Sequence, residues 1–366
     1  MKLLISITFL VLLVACAQQS QDAVQIKIGA NLFLTGNDFS YYAEAMQQGM
    51  DLAKDEINTQ GGVLGRNLTI IYEDDQLDSA NAVTAAQKLT SVDKVSVSLT
   101  GLVNTVKSAA PVFNDAHVPL IMLWDAKIPG IGLENLPYLF SIGFSTIDAG
   151  EVMAEYAFNK GVRTVAVVTH PDEWSQLISR AFITKFNALG GQILLDEQID
   201  ITESDFKTVL LKAQDADAIY APLIANMDVF LKRARALNYN GPLLSGDIIS
   251  GEVISNAGNA SEGIYFTQIH EPNSAQMNHL KELYIAKYGK ESDLISFVAM
   301  GYDGVHLAID AINRAGSDNP EQVRNVLAST TNFTGALGSV VMDSFGGSTK
   351  VERIFTVQNG SMVLVE

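Results

Sequence analysis

The amino-acid sequence predicts an α/β protein of two lobes, each built on a parallel sheet with helices on both faces. Short strands and helices alternate along the chain, and the connections are long enough for right-handed crossovers between parallel strands. The length of 366 residues exceeds what a single hydrophobic core usually organises. Hydrophobic residues make up 48% of the chain and charged residues 18%, which is sufficient apolar material for two cores.

The N-terminal segment has the pattern of a secretory signal. Met1 and Lys2 precede an apolar run over residues 3–14, which is too short and wrongly flanked for a membrane-spanning helix. The last residues of this run and the two that follow it, Leu13-Val14-Ala15-Cys16, resemble the bacterial lipobox. Cys16 is the only cysteine of the chain. We therefore expect a signal peptide over residues 1–15, lipidation of Cys16 and a polar tether over residues 16–23. A lone buried thiol is the alternative for Cys16.

Charge and missing motifs exclude several classes of function. The net charge of −17, without a basic stripe, argues against nucleic acid or an anionic membrane surface as a partner. The sequence has no dinucleotide or nucleotide phosphate loop, no His-Glu-x-x-His and no Gly-x-Ser-x-Gly. Metal-ligand spacing is absent among the five histidines, His117, His170, His270, His279 and His306. The sequence thus predicts neither an enzyme nor a metal or cofactor site.

The first lobe is predicted from four strands and three helices. Residues 95–99 alternate between apolar residues and serine, as in a strand, and Thr100 and Gly101 end that strand. Asn104 and Thr105 stand where a helix to about residue 114 would be capped. The other strands are predicted at residues 25–30, 68–72 and 119–123, and the other helices run to about residue 58 and over residues 78–90.

The second lobe is predicted from a further set of units that begins near residue 145. A run of nearly continuous β-branched residues over 162–169 is typical of a buried strand. The remaining strands are expected at residues 192–195, 218–223, 242–245 and 263–267, and helices at 149–159, 173–189, 206–213 and 227–237. Three helices (276–288, 297–314, 320–329) and three strands (338–343, 351–357, 361–365) complete the chain.

The predicted topology indicates where a ligand would bind. In open parallel sheets, ligands sit outside the carboxyl ends of the strands, where residues 100–105 and 124–127 fall. A strand that leads straight into a helix leaves unpaired backbone N–H groups and the positive end of the helix dipole at that edge. Residues 100–105 could therefore receive a carboxylate or another small anion. An ordinary strand-to-helix turn with a capping asparagine is the alternative.

One motif resembles a known family. Residues 61–68, Gly-Gly-Val-Leu-Gly-Arg-Asn-Leu, precede a strand that ends in Asp74-Asp75. This is similar to the signature of type I periplasmic solute-binding proteins of the branched-chain amino-acid (leucine-binding) group, which serve ATP-binding-cassette (ABC) importers. The resemblance extends from about Gln25 to the C-terminus, and it includes Ala-Arg-Ala at 234–236, Ser-Glu-Gly at 261–263 and Gly-Tyr-Asp at 301–303.

The resemblance implies two Rossmann-like lobes that are joined by a three-strand hinge. Lobe I would comprise residues 24–143 and 271–340, and lobe II residues 144–270 and 341–366. The implied protein is an extracytoplasmic lipoprotein, anchored in the membrane by its lipid. It would capture an amino acid or a related small zwitterion or carboxylate by hinge closure and deliver it to the permease and ATPase subunits of an importer. A ligand sensor of the same fold, which signals to a membrane receptor, is the alternative.

The resemblance also implies binding residues. Asn104 and Thr105 match the helix start that receives the ligand carboxylate, where serine is usual. Asp247 matches the acidic residue that holds the ammonium group, usually a glutamate. Tyr41, Trp174 and Phe297 match the aromatic walls of the pocket, although core packing is the alternative for each.

The chain departs from the family pattern after the fourth strand. Trp124, Asp125 and Lys127 stand where small or hydroxyl residues are usual, and Leu223 stands at a position that is often tyrosine. Asp125 and Lys127 either form a solvated pair in a loop or extend the pocket toward a polar or charged ligand. Leucine, isoleucine and valine therefore cannot be assumed as ligands.

Overall fold

The structure is a computed structural model that describes residues 25–37, 39–126, 132–133, 135–269, 274–348 and 352–365. The predicted signal peptide, Cys16 and the tether lie outside the described residues, and so does Lys127.

The N-terminal third of the chain alternates strands and helices, as predicted. Asp78 caps the second helix by accepting hydrogen bonds from the backbone N–H groups of Ala80 and Asn81. A π-helical turn, Lys88–Asp93, extends that helix. The elements in chain order are β1 (Ile26–Leu32), α1 (Ser40–Thr59), β2 (Leu68–Asp74), α2 (Ser79–Gln87), β3 (Ser98–Thr100), α3 (Val103–Asp115), β4 (Leu120–Met122) and β5 (Leu139–Ser141).

The middle third continues the alternation. Asp172 caps the helix that begins at Glu173 by accepting a hydrogen bond from the backbone N–H of Ser175. The elements are α4 (Thr146–Asn159), β6 (Thr164–Thr169), α5 (Glu173–Ala188), β7 (Gln192–Gln198), α6 (Lys207–Ala213), β8 (Ala218–Tyr220), α7 (Met227–Ala236), β9 (Leu243–Leu244), α8 (Gly251–Ala257) and β10 (Tyr265–Gln268).

The last part of the chain adds helices to the first sheet and strands to the second. It comprises α9 (Ala275–Tyr288), α10 (Ile295–Ala315), α11 (Pro320–Ala328), β11 (Phe333–Gly335), β12 (Gly338–Val340), β13 (Arg353–Gln358) and β14 (Ser361–Leu364). Strands β11 and β12 form a small hairpin of their own.

Two main sheets confirm the predicted α/β architecture. Within the described residues, the first sheet has five parallel strands in the order β2-β1-β3-β4-β5. The second sheet has the order β14-β13-β10-β9-β8-β6-β7, in which β13 pairs antiparallel with both β10 and β14. The five strands from β10 to β7 are parallel. The carboxyl ends of each parallel set therefore lie at a single edge of the sheet.

Each main sheet is covered by an apolar core on both faces, as expected for parallel sheets. Residues of α1, α9, α10 and α11 pack on one face of the first sheet, and residues of α2 and α3 pack on the other. The second sheet is covered by α4 and α5 on one face and by α6, α7 and α8 on the other. Helix α10 is apolar enough to resemble a membrane span, but 72% of its most apolar stretch is buried in the first core.

The chain passes between the two sheets at three places, after β5, after β10 and after β12. Phe144 and Met342 pack in the first core, so this core extends a few residues beyond the boundaries expected at 143 and 340. At the first crossing the N–H of Phe144 donates to the carbonyl of Trp124 at 3.2 Å. A Cβ on Gly143 would overlap the carbonyl oxygens of Trp124 and Asp125, so only glycine allows this close approach.

Candidate functional site

Five aromatic rings gather at the carboxyl ends of the first sheet. We call Phe33, Tyr41, Tyr42, Trp124 and Phe297 the aromatic cluster. The ring centroids of Trp124 and Phe297 are 4.5 Å apart, those of Tyr42 and Phe297 are 4.4 Å apart, and those of Tyr42 and Trp124 are 5.1 Å apart. Phe33 reaches Trp124 at 6.3 Å, and Tyr41 packs on Tyr42 at 4.1 Å. Such tilted and edge-on contacts stabilise aromatic groups beyond simple burial.

The sequence places these rings by putting each one next to the end of a strand or the start of a helix. Phe33 follows β1, and Trp124 follows β4. Tyr41 and Tyr42 lie in the first turn of α1, and Phe297 lies in the first turn of α10. Tyr41 is 47% exposed, whereas the other rings pack against the first core. The aromatic cluster is thus packed on the first core, and it is exposed on the side of Tyr41.

Asp247 is a charged residue at the carboxyl ends of the parallel strands of the second sheet. It follows β9, and its Oδ1 atom is enclosed without a hydrogen-bond partner among the described residues. Burial raises the pKa of Asp247 to about 7, and the nearby charge of Asp125 acts in the same direction. The indole N–H of Trp174 donates to the carboxylate and partly offsets this rise.

The backbone around Asp247 is held from two sides. The side-chain amide of Gln268, at the end of β10, donates to the carbonyl oxygens of Asp247 at 3.1 Å and Ile249 at 3.3 Å. A Cβ on Gly246 would meet Ile178 Cδ1 at 2.5 Å and the Trp174 ring at 3.3 Å. The turn after β9 therefore lies directly against the first two turns of α5, and this contact brings Trp174 beside Asp247.

Two electrostatic interactions connect the carboxyl-end edge of the first sheet with that of the second, and we call the space between these edges the cleft. Asp125 follows β4 of the first sheet, and its charge acts on Asp247 of the second. Burial raises the pKa of Tyr42, which the hydrogen bond with Tyr41 and the charge of Glu252 raise further. Glu252 lies in α8 of the second lobe, whereas Tyr42 lies in α1 of the first. The described walls of the cleft are therefore aromatic on one side and acidic on both.

The start of α3 differs from its prediction. The helix begins at Val103, its N-cap residue is Leu102, and no side-chain hydrogen bond caps it. The expectation that Asn104 or Thr105 caps the helix is therefore wrong. Asn104 is exposed in the first turn, whereas Thr105 is 1% exposed and its hydroxyl donates to the Leu102 carbonyl at 3.4 Å. The backbone N–H groups of this turn consequently keep no side-chain cap.

The structure brings together most of the residues that the sequence singled out. Tyr41 and Phe297 lie in the aromatic cluster, Trp174 donates to Asp247, and Asp125 acts on Asp247 electrostatically across the cleft. Leu223 is fully buried in the core beneath α7, so its side chain packs with the interior of the second lobe. Lys127 lies outside the described residues.

Sequence reasoning missed Tyr42 and Glu252. Tyr42 directly follows Tyr41, and the local density of aromatic residues over 39–42 was the available signal. Glu252 gave no signal because helix α8, which carries it, was not predicted. Among the described residues, no three His, Cys, Asp or Glu side chains are placed to hold a metal ion.

Comparison with known proteins decides the family. The sequence model of the family described as periplasmic binding protein matches residues 25–358. The chain belongs to the periplasmic binding protein family. Membership implies a small-molecule ligand, an extracytoplasmic location and a membrane permease as partner.

Relatives and solved structures agree with this assignment. A Leu/Ile/Val-binding protein homolog of Brucella abortus is 25% identical over 326 residues, which are 88% of this chain and 87% of the relative. A branched-chain amino-acid transporter substrate-binding protein of Streptococcus pneumoniae, solved with isoleucine, is 27% identical. Its TM-score is 0.78, and the match covers 93% of this chain and 99% of that one. These relatives are solute-binding proteins rather than enzymes.

A further solved structure shares the fold but holds a different kind of ligand. This solute-binding protein of an ABC transporter from R. palustris was solved with benzoate. It is 19% identical, with a TM-score of 0.74 over 93% of this chain and 95% of that one. The fold alone therefore does not determine which small molecule this chain binds, and the residues of its own cleft must be considered.

Proposed function

We propose that this protein is the substrate-binding lipoprotein of an ABC importer and that it captures an amino acid or a related zwitterion between its lobes. The observation that carries the proposal is the enclosed carboxylate of Asp247, which lies within electrostatic range of Asp125 across the cleft. A buried carboxylate without a cationic partner is unfavourable, and an ammonium group of the ligand would supply that partner.

The remaining walls suit the other parts of an amino acid. The uncapped first turn of α3 offers backbone N–H groups and the positive end of the helix dipole to a carboxylate. Trp124, Phe297 and Tyr42 offer ring faces and edges to an apolar or aromatic side chain. A zwitterion would thus meet an opposite charge at each end and an apolar surface between the two.

Asp247 also distinguishes between the ligand classes that this fold accommodates. Benzoate, the ligand of the R. palustris structure, carries a carboxylate and no cationic group. A simple carboxylate in this cleft would leave Asp247 unpaired and add a third negative charge to those of Asp125 and Asp247. We therefore propose a ligand that carries an ammonium group, with the aromatic cluster favouring a side chain larger than a small aliphatic one.

Membrane tethering is part of the proposal. Leu13-Val14-Ala15-Cys16 has the pattern of a lipobox, and a polar segment follows it. Stable anchoring requires two or more acyl chains, because one chain binds only marginally. The Cys16→Ser variant should lose lipidation and the processing that depends on it, and should leave the membrane fraction or retain its signal peptide. A parent protein that is already soluble and correctly processed would contradict the anchor.

Native mass spectrometry of protein purified from its host tests the ligand class. An adduct with the mass of an amino acid, released on unfolding, supports the proposal. Calorimetric titration with the released compound and with a panel of amino acids and benzoates then ranks the classes. Tight binding of benzoates together with no binding of any amino acid would overturn the proposal.

A further inference from the structure

Several polar side chains of the second sheet lie in a layer of its core that is otherwise apolar. The strand registers place Tyr220, Leu244 and Tyr265 side by side on β8, β9 and β10. Because side chains alternate, Thr267 lies two residues further along β10 on the same face as Tyr265. Thr267 pairs with Ile354 of β13, and Glu352 precedes Ile354 by two residues. Tyr220, Thr267 and Glu352 therefore share the sheet face that α5 covers.

Helix α5 packs directly against position 246 in this layer. Gly246 follows Leu244 by two residues and lies at the level of Thr267, where it contributes no side chain. Ile178 and Trp174 approach it from α5, and Asp247 comes next in the chain. The polar side chains of β8 and β10 thus lie directly beneath the turn that presents Asp247 to the cleft. We call Tyr220, Asp247, Thr267 and Glu352 the buried polar cluster.

The buried polar cluster has polar atoms that lack partners. Tyr220 and Thr267 are both 0% exposed. Tyr220 Oη, Thr267 Oγ1 and Asp247 Oδ1 are enclosed, and each lacks a hydrogen-bond partner among the described residues. The Tyr220 ring stacks on Phe182 at 4.1 Å, so the hydroxyl is the polar tip of an otherwise apolar side chain. Buried hydroxyl groups of this kind are nearly always satisfied, by protein or by ordered water.

Electrostatic interactions connect three members of the buried polar cluster. Burial raises the pKa of Tyr220 well above its usual value, and the carboxylates of Asp247 and Glu352 raise it further. Tyr220 is therefore a neutral phenol whose one proton can be donated, and carboxylate oxygens are the nearby charged acceptors. No direct hydrogen bond joins Tyr220 Oη to the Asp247 carboxylate in the described residues. The two groups thus lie within electrostatic range but beyond hydrogen-bond distance.

We propose that an internal water site lies between Tyr220 Oη, Thr267 Oγ1 and Asp247 Oδ1, and that Tyr220 acts through it as a positioning residue for Asp247. A buried water needs two to four polar partners, and these three atoms supply them. Tyr220 donates to the water, and the water donates to Asp247 Oδ1 and keeps the carboxylate aimed into the cleft. This inference rests on the proposed role of Asp247 as the acceptor of a cationic group.

The groups that face Asp247 come from every element packed around it. Asp125 faces it from the first lobe, the Trp174 indole donates to it from α5, and the Gln268 amide binds its backbone carbonyl. Tyr220 approaches from below, and Glu352 acts on Tyr220 from the third crossing between the lobes. Among these groups Trp174 donates directly to the ionised carboxylate and Tyr220 donates only through the proposed water, whereas Asp125 opposes ionisation.

Titration of Asp247 in ligand-free protein tests the proposal without any ligand. The carboxyl carbon can be followed by NMR in aspartate-labelled protein and assigned with the Asp247→Asn variant. We expect a midpoint near pH 7 in the parent. Tyr220→Phe keeps the ring stack and removes the hydroxyl, so the midpoint should rise by about one pH unit, a tenfold change. Thr267→Val should produce a smaller rise of the same sign.

Tyr239→Phe is the matched control. Tyr239 lies in the same lobe, and its hydroxyl donates to the Ala216 carbonyl at 3.4 Å, away from Asp247. This variant should leave the midpoint of Asp247 unchanged. Equal midpoints in the parent and in Tyr220→Phe would overturn the positioning role. Because no ligand is present, a failure to bind amino acids would affect the proposed function and leave this result standing.

A high-resolution crystal structure tests the water itself. Density for a water within hydrogen-bond distance of Tyr220 Oη and Asp247 Oδ1, lost in Tyr220→Phe, supports the site. Direct pairing of Tyr220 Oη with Asp247, with no water between them, would overturn it.

Discussion

Asp125 and Asp247 place carboxylates from different lobes close enough for the charge of one to raise the pKa of the other. Like charges on opposite walls repel as the lobes approach, so closure of an empty cleft is opposed. A cationic group between them would reverse the sign of this interaction. Ligand charge and lobe closure are thereby coupled, because a ligand can drive closure only through contacts that it makes better in the closed state.

The strongest prediction concerns the loss of the Asp247 carboxylate. Removing one member of a buried charge pair typically costs about 3–5 kcal/mol. Asp247→Ala should therefore weaken binding of an amino-acid ligand by roughly two to three and a half orders of magnitude. Asn104→Ala should cost less, on the order of 1–3 kcal/mol, because the backbone N–H groups of α3 remain. Calorimetric titration gives this ranking.

The control for this ranking is Asp215→Ala, which removes an exposed carboxylate from the same lobe away from the cleft. Its affinity should equal that of the parent. Parent-like affinity in Asp247→Ala would mean that the ligand lacks a cationic group.

Binding should depend on pH because Asp247 titrates near neutrality. Burial raises its pKa to about 7, and only the ionised carboxylate attracts an ammonium group. Affinity should therefore be highest above pH 7 and fall by about tenfold per pH unit below it. Titrations between pH 5 and 8.5 check this, with Asp247→Asn as the comparison. A flat profile for the parent would contradict the assignment.

The raised pKa of Asp247 also predicts that removal of its charge increases the free energy of unfolding. A carboxyl group with a raised folded-state pKa favours folding below its unfolded-state pKa, and this contribution is lost as the pH rises toward 7. At pH 8 the ionised Asp247 therefore destabilises the ligand-free protein. Asp247→Asn should raise the free energy of unfolding at pH 8 by about 4 kcal/mol and have little effect at pH 4. Urea denaturation at both pH values measures the difference, and equal stability at pH 8 would argue against an enclosed charge.

The crossing at Gly143 should tolerate no side chain. A Cβ there would overlap the Trp124 and Asp125 carbonyl oxygens, so Gly143→Ala should destabilise the protein by about 1–3 kcal/mol. Gly251→Ala is the control, because Gly251 opens α8 with no atom within 4 Å of a new Cβ. Its stability should stay the same or rise by up to about 1 kcal/mol. Denaturation curves compare the two, and an unaffected Gly143→Ala would show that this crossing is not tightly packed.

Most of the fold could be predicted because the periodicity of the chain matches its burial. The long helices α1 and α10 were found from their apolar spacing, and both lie in the first core. The sequence predicts strand β3 at residues 95–99, whereas the structure has it at Ser98–Thr100, although Ser96 and Val97 already form backbone hydrogen bonds with β1. Short elements such as β5 and α8 give too few residues for a periodic pattern.

The site was predictable only in part, because it depends on how the lobes meet. Asp247 and Trp174 were identified from the family resemblance, and their contact arises from the close approach of α5 to Gly246. The opposition of Asp125 and Asp247 joins residues that are distant in the sequence and belong to different sheets. No local sequence pattern predicts such a pair of residues. The buried position of Leu223 is likewise not predicted by a local pattern.

The two tryptophans of the chain, Trp124 and Trp174, both border the cleft, one in the aromatic cluster and the other beside Asp247. The intrinsic fluorescence of the protein can therefore report on the proposed binding site, with one tryptophan on each lobe. We expect the emission of Trp174 to respond to the charge state of Asp247, and that of Trp124 to respond to a ligand that stacks on it. A titration of the native chain, without dye or added label, can follow occupancy and protonation through separate signals once each tryptophan is replaced in turn by phenylalanine.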